Sequence, residues 1–305
     1  MLPVVLCGNN AYSDQFQVFA HSFRKHNPDR RVVMFHSGDF DEALLARYGV
    51  ESQIVHRLEG SSDRFNATHM HGALLRLVAF DWISRNWETS ILYMDLDILV
   101  CGPVDEADAL EVTEQKPIAG IDEYHALSSL KGNTNYALHR PLYWYQRHIN
   151  RSYFNAGVMV VNTQWLLDKA VEKGFSSICE CYEFNKYKWS MADQDCLNYL
   201  SPNQVLLPRS LNAMPELSIW FLDDFEGSEK LTESIRNSSV LHWVGKMKPW
   251  SSARQGSHTD PDRQMMPMDL YLEACDEIKD SLDPQFYRTV KINTTMWKSI
   301  QNVRC

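Results

Sequence analysis

The chain has 305 residues, 44% of them hydrophobic, and a formal net charge of −9. That is enough apolar material for one large core or two smaller ones. It excludes a general nucleic-acid binder, which needs a basic face, and no run reaches the ~18 consecutive apolar residues of a membrane span.

In chain order, "PVVLCG" (3–8) reads as a short buried strand, followed by a polar turn, "NNAYSD". Phe16, Phe19, Ala20 and Phe23 then recur at helical spacing. "RRVVMFHS" is a second strand, "DEALLARYGV" a short helix stopped near Gly49, and "ESQIVHRL" a third strand. A longer helix runs from about 68 to 87 and is apolar nearly all round, which predicts burial. "SILYM" follows as a strand, then "KPIAGID". Residues 122–152 are polar and aromatic with weak periodicity and read as a loop-rich flap. Tyr143, Trp144 and Tyr145 within it are core residues or sugar-stacking rings, core being favoured. "YFNAGVMVVNT" is a core strand, "QWLLDKAVEKG" and "ADQDCLNYL" are helices, and "SVLHWVG" is a late strand. Strands alternating with helices predict an α/β fold with a mainly parallel sheet. The boundary falls after Trp250, giving a domain over 1–250 and a helical extension over 251–305.

"MLPVVLCGNN" lacks the basic leader of a signal peptide. Seven cysteines without a C-x-x-C pair form neither a zinc site nor a disulfide framework. They fit a reducing cytoplasm, with Cys7, Cys101 and Cys196 as small buried hydrophobes. The N-x-S/T sequons starting at Asn66, Asn150, Asn237 and Asn293 are then chance matches.

The stretch "ILYMDLDILV" raises the chemical question, because Asp95 and Asp97 sit in an otherwise apolar run. Buried carboxylates need a partner, a hydrogen bond or a metal. The D-x-D triplet alone is weak, since it also occurs at Asp39, Asp193 and Asp260. Its place at the carboxyl end of a buried strand is where open α/β sheets bind ligands. Two readings stand at this point. The pair caps nearby backbone amides, or a divalent cation satisfies both carboxylates and lets an anionic ligand approach.

Four ordered blocks, "LYMDLDILV", "FNAGVMVVN", "DQDCLN" and "HWVGKMKPW", resemble glycosyltransferase family 8, with "VVLCGNNAY" agreeing more loosely. This is the family of retaining transferases that includes bacterial lipopolysaccharide galactosyl- and glucosyltransferases and glycogenin. The resemblance implies the GT-A fold, a Rossmann-like nucleotide-sugar-binding architecture. It implies that Asp95, Asp97 and His242 hold Mn²⁺, with Mg²⁺ as the second choice. One imidazole among carboxylates tilts the set toward the transition metal. Asp95, Leu96 and Asp97 then lie against the donor, and Lys248 and Gly245 approach its diphosphate. Cys7, Gly8, Asn9 and Tyr12 fall where relatives bind uracil and ribose, although many relatives carry aspartate at the position of Asn9. A polar turn after the first strand is the plain alternative there. Arg76 matches a basic residue that helps hold the donor, and an arginine on so apolar a helix needs an anionic partner in any case. Asn155, Asp193 and Gln194 match positions around the donor sugar, with helix capping and strand-end hydrogen bonding as their structural alternatives.

The implied reaction moves a hexose, galactose or glucose, from a UDP-sugar to a carbohydrate acceptor such as a lipopolysaccharide or other glycan, with retention. Gln194 is a poor nucleophile compared with the carboxylate of a retaining glycosidase. A front-face attack, with the leaving phosphate as base, therefore competes with Asp195 acting as nucleophile. A haloacid-dehalogenase-like phosphohydrolase is a rival reading of the same triplet. Its motif wants Thr or Val where Leu99 stands, and it leaves "HWVGKMKPW" unexplained. A non-catalytic sugar-nucleotide-binding module is the second rival. In the tail, Arg288, Lys291, Lys298 and Arg304 follow the last acidic residue, Asp283. Phe286, Val290, Trp297 and Ile300 form one helical stripe. This predicts either peripheral contact of 284–305 with the inner face of an anionic membrane, near a glycolipid acceptor, or a terminal helix docked on the acidic body.

Overall fold

A computed structural model describes residues 1–55, 71–87, 90–122, 153–189, 192–215, 233, 235–244, 248–251 and 267–302. They form a mixed α/β structure that divides into two compact units. The first comprises residues 1–12, 29–96 and 105–208. The second comprises 13–28, 97–104 and 209–305. The predicted boundary after Trp250 falls within 209–305 of the second unit, and the chain passes between units five times, after residues 12, 28, 96, 104 and 208.

The first unit is built on a seven-stranded sheet. Its strands are β1 (Val4–Cys7), β2 (Val32–His36), β3 (Glu51–Ile54), β4 (Ser90–Met94), β6 (Ile118–Asp122), β7 (Phe154–Asn162) and β8 (Val205–Leu206), in the order β3-β2-β1-β4-β7-β6-β8. The pairs from β3 through β4 are parallel, as is β6 with β8, whereas β7 runs antiparallel to both its neighbours. β1 and β2 are buried at every position, as expected of continuous apolar strands covered on both faces. Helix α2 (Glu42–Arg47) is capped by the Asp41 side chain, and Gly49 follows at φ 62°, the left-handed stop that glycine permits. The long apolar helix is α3 (His71–Asn86). Leu74, Leu77, Phe80 and Ile83 join the sheet core together with residues of α4 (Thr163–Glu172), α5 (Ile178–Asn185) and α6 (Ala192–Leu200). Sequence patterning passes over α5, whose eight residues carry no clear stripe. Its start is fixed from α3 instead, where the Asp81 carboxylate accepts from the Ile178 and Cys179 amides at 2.8 and 3.0 Å.

The second unit holds α1 (Ser13–His26), α7 (Met268–Glu277), α8 (Pro284–Asn302) and a two-stranded antiparallel ribbon of β5 (Ile98–Val100) with β9 (Val240–His242). The late strand "SVLHWVG" thus exists but pairs outside the central sheet. Val18, Leu99, Leu241, Trp243, Tyr271 and Val290 pack in its core, with Phe286 and Trp297 against them. Three residues of the tail stripe are therefore used in docking α8. The predicted flap and its three aromatics, apart from Asp122 at the end of β6, lie outside the described residues, as does Gly245. Among the described residues six cysteines are free thiols, and no helix is long and apolar enough to cross a membrane.

Candidate active site

In the first unit, β7 carries the decisive irregularity. Its register with β6 jumps from Gly120↔Met159 to Ile121↔Asn155, so Ala156, Gly157 and Val158 have no partners on β6. A bulge leaves backbone groups unpaired, and buried ones must find partners elsewhere. Here site side chains supply them. The Ala156 N–H donates to Gln194 Oε1 at 3.0 Å, and the Ala156 carbonyl accepts from Arg76 Nη1 at 2.5 Å. The Gly157 N–H donates to Asn155 Oδ1 at 2.9 Å, and its carbonyl accepts from the Asp95 N–H at 2.8 Å. The block "FNAGV" is therefore a scaffold whose main chain fixes Arg76, Asn155, Gln194 and Asp95 together.

Arg76 projects from α3 and is almost wholly buried. Its Nη2 donates to Asp95 Oδ1 at 2.9 Å, and its Nε lies 2.9 Å from Asp193 Oδ2. The guanidinium also lies over the Tyr93 ring, 4.7 Å from its centroid. Tyr93 and Asp95 are two residues apart at the end of β4 and so face the same side, and the phenol donates to Asp95 Oδ1 at 2.7 Å. Burial pushes the Asp193 carboxyl up to about 6, against the pull of Arg76. The anionic partner expected for Arg76 is thus a pair of aspartates. α6 opens with Ala192 at φ 47°, a left-handed conformation unusual for a residue with a Cβ. Asp195 is fully buried beneath it and accepts from the Tyr153 hydroxyl at 2.8 Å.

At the end of β1, Cys7 is buried. A Cβ on Gly8 would stand 2.6 Å from Leu96 Cδ1, so a glycine there lets Leu96 pack closely. Asn9 Oδ1 accepts the Ala11 N–H at 3.0 Å, and the Tyr12 N–H donates to the Asn9 carbonyl. This is an Asx-type turn, so Asn9 meets its structural alternative whatever else it binds.

Asp97 belongs to the second unit. Its carbonyl accepts from the Trp243 N–H at 3.0 Å, which extends the β5–β9 ribbon by one bond. The Lys248 ammonium forms an ion pair with Asp97 Oδ2 and donates to the Trp243 carbonyl at 2.8 Å. Burial opposes ionisation of Asp97, but Lys248 and then His242 outweigh it and hold the carboxyl well below the usual range. His242 is buried, with Nδ1 3.0 Å from Asn212 Oδ1. An amide oxygen only accepts, so Nδ1 carries a proton, and Nε2 lies 3.2 Å from Asp97 Oδ1. That carboxylate oxygen is buried and has no hydrogen bond among the described residues. One ligand atom from each of Asp95, Asp97 and His242 can be chosen so that all three lie within 4.8 Å of one another, so a proton on Nε2 or a cation can bridge the imidazole and the carboxylate. A histidine whose second nitrogen is pinned by a fixed acceptor is the usual metal ligand, so the residues present fit a divalent ion.

Sequence reasoning did not single out Tyr93, Tyr153 or Asn212. Tyr93 alone carried a readable signal, the i, i+2 spacing to Asp95. Asn212 lies in an irregular segment with no motif.

The family model "Glycosyl transferase family 8" matches residues 3–254. Lipopolysaccharide 1,2-glucosyltransferase of Escherichia coli is 31% identical over 178 residues, 57% of this chain and 48% of that protein, so the match spans about half the relative's length. Among solved structures, the galactosyltransferase LgtC in complex with donor and acceptor sugar analogues superposes with a TM-score of 0.61 at 17% identity, over 90% of this chain and 96% of that one. Glycosyltransferase GlyE of Streptococcus pneumoniae TIGR4 gives 0.58 at 16%, over 95% and 63%. At these identities the two structures establish a shared GT-A fold.

Proposed function

The chain belongs to glycosyltransferase family 8, and from that premise we propose that it transfers galactose or glucose from a UDP-sugar to a glycan or glycolipid acceptor, with retention and dependence on a divalent cation. The observation that carries this reading is the cluster of Asp95, Asp97 and His242, with His242 Nε2 3.2 Å from Asp97 Oδ1. A phosphohydrolase gives no account of it, and the family match leaves that rival without support.

Asp97 and His242 would hold the cation, with Asp95, two positions earlier in the chain, as the third ligand. When bound, the cation supplies positive charge against the donor diphosphate, and Mn²⁺ suits the mixed oxygen and nitrogen donors best. Lys248 has its ammonium on Asp97 Oδ2. In the reading proposed here it turns to the departing UDP and stabilises the charge that grows there. Cys7, Gly8, Asn9 and Tyr12 take the nucleoside, and Gly245 lies by the diphosphate. Arg76, Asn155 and Asp193 orient the sugar, with Gln194 and Asp195 beneath the anomeric carbon. Positioning supplies much of the remaining rate.

The test is UDP release from UDP-glucose and UDP-galactose, with Mn²⁺ and with EDTA, for the wild type, Asp97→Ala and His242→Ala. Turnover should vanish in EDTA, return with Mn²⁺ and be absent in both folded variants. Near-normal turnover in EDTA would remove the metal assignment, and an inverted product by NMR would contradict retention.

A further inference from the structure

Behind Gln194 and Asp195 stands a residue that no motif marks. Tyr153 is fully buried at the entry to β7. Its hydroxyl donates to Asp195 Oδ1 at 2.8 Å and accepts from Gln194 Nε2 at 3.2 Å. A phenol has a single proton. With that proton committed to the carboxylate, the oxygen presents only lone pairs to the amide. At its other end Gln194 Oε1 accepts from the Ala156 N–H at 3.0 Å and from Asn155 Nδ2 at 3.4 Å. A backbone N–H can only donate, so the Gln194 oxygen must face Ala156 and its nitrogen must face Tyr153. A flipped amide would oppose donor to donor at Ala156. α6 is held to the same strand by Asn198, whose amide accepts from the Phe154 N–H at 2.9 Å and donates to the Phe154 carbonyl at 3.0 Å.

We propose that Tyr153 is a positioning residue for sugar transfer, its hydroxyl fixing at once the Gln194 amide and the Asp195 carboxylate. The inference rests on the glycosyltransferase reading above. It holds whether the acceptor attacks on the front face or Asp195 is the nucleophile, because both routes need these two groups in one fixed arrangement. Tyr153 itself exchanges no proton with the substrate.

The test is Tyr153→Phe, which deletes one oxygen and keeps the ring. A hydrogen bond to a charged group is worth enough to lower kcat about ten- to a hundredfold, while the KM for the UDP-sugar stays at its wild-type value. Because Tyr153 acts through Gln194, adding Tyr153→Phe to Gln194→Ala should lower kcat less than it does in the wild type, a non-additivity that general loosening would not produce. An unchanged kcat, a change confined to KM, or additive losses would overturn the proposal. If the variant melts near the assay temperature, the same cycle is run in the cold, where circular dichroism shows all four proteins folded, and the same results decide. A wild type that turns over no UDP-sugar in Mn²⁺ would overturn the functional reading, and this inference with it. An active wild type with an unaffected Tyr153→Phe would overturn this inference alone.

Discussion

At the scale of single residues, the cluster around Arg76 is electrostatically expensive. One buried guanidinium serves Asp95 and Asp193 together, and removing one partner of such a group leaves another buried charge uncompensated. Asp193 shows the cost most clearly, because burial raises its carboxyl from 3.8 to about 6. Between those values the folded protein keeps a proton that the unfolded chain has released. Stability from this group is therefore greatest at the acid end and falls as pH rises through the window, becoming level above about 6. Asp193→Asn removes the titration. The unfolding free energy of the variant relative to wild type should rise between pH 4 and pH 6, as read from urea titrations at several pH values. A pH-independent difference would show that Asp193 is ionised throughout.

At the scale of elements, α8 decides how the Lys248 turn is held. Asn293 is buried, and its amide nitrogen donates to the carbonyls of Pro249 and Ser251 at 2.7 and 2.8 Å. Those bonds fix the turn that carries Lys248 and Trp250, whose ring packs on Tyr271 and Phe286. The sequon at Asn293 is accordingly structural, with its amide engaged in the fold. Asn293→Ala strands two carbonyls and should cost about 1–3 kcal/mol in chemical denaturation. It should also lower turnover by loosening Lys248. Wild-type stability would mean that the turn is held by the aromatic packing alone. Arg288 and Lys291 remain exposed on this helix, but Phe286, Val290 and Trp297 of its apolar stripe pack in the cluster that holds Trp250 and Tyr271.

At the scale of the whole molecule, charge decides how a donor is held. A net charge of −9 repels a free nucleotide diphosphate, which makes local cations the condition for binding. Mn²⁺ with UDP should then slow amide hydrogen exchange both in residues 8–12 and in residues 240–243, with EDTA reversing both effects. Ligand binding stabilises only the segments it engages. Protection confined to one of the two segments would restrict the donor contacts to that segment.

Much was legible in the chain because burial patterns are local. The continuous apolar runs of β1, β2 and β7, the all-round apolar α3 and the Asp41 and Gly49 boundaries of α2 are each written within a few consecutive residues. Asp95 and Asp97 could be singled out because carboxylates stand out within an apolar strand, and His242 through the family resemblance of "HWVGKMKPW". Partners are not local. Lys248 meets Asp97 across 151 positions, Tyr153 meets Asp195 across 42, and His242 meets Asn212 across 30. The pairing of β9 with β5, the docking of α8 and the bulge at Ala156 likewise depend on which buried surfaces and unpaired backbone groups meet after the chain closes. Residue types and their period settled which positions had to be buried or held charge, whereas only the tertiary structure decided what each buried charge faces. An unsatisfied polar group takes whatever donor or acceptor the fold brings within about 3 Å, and chain separation places no limit on where that partner comes from.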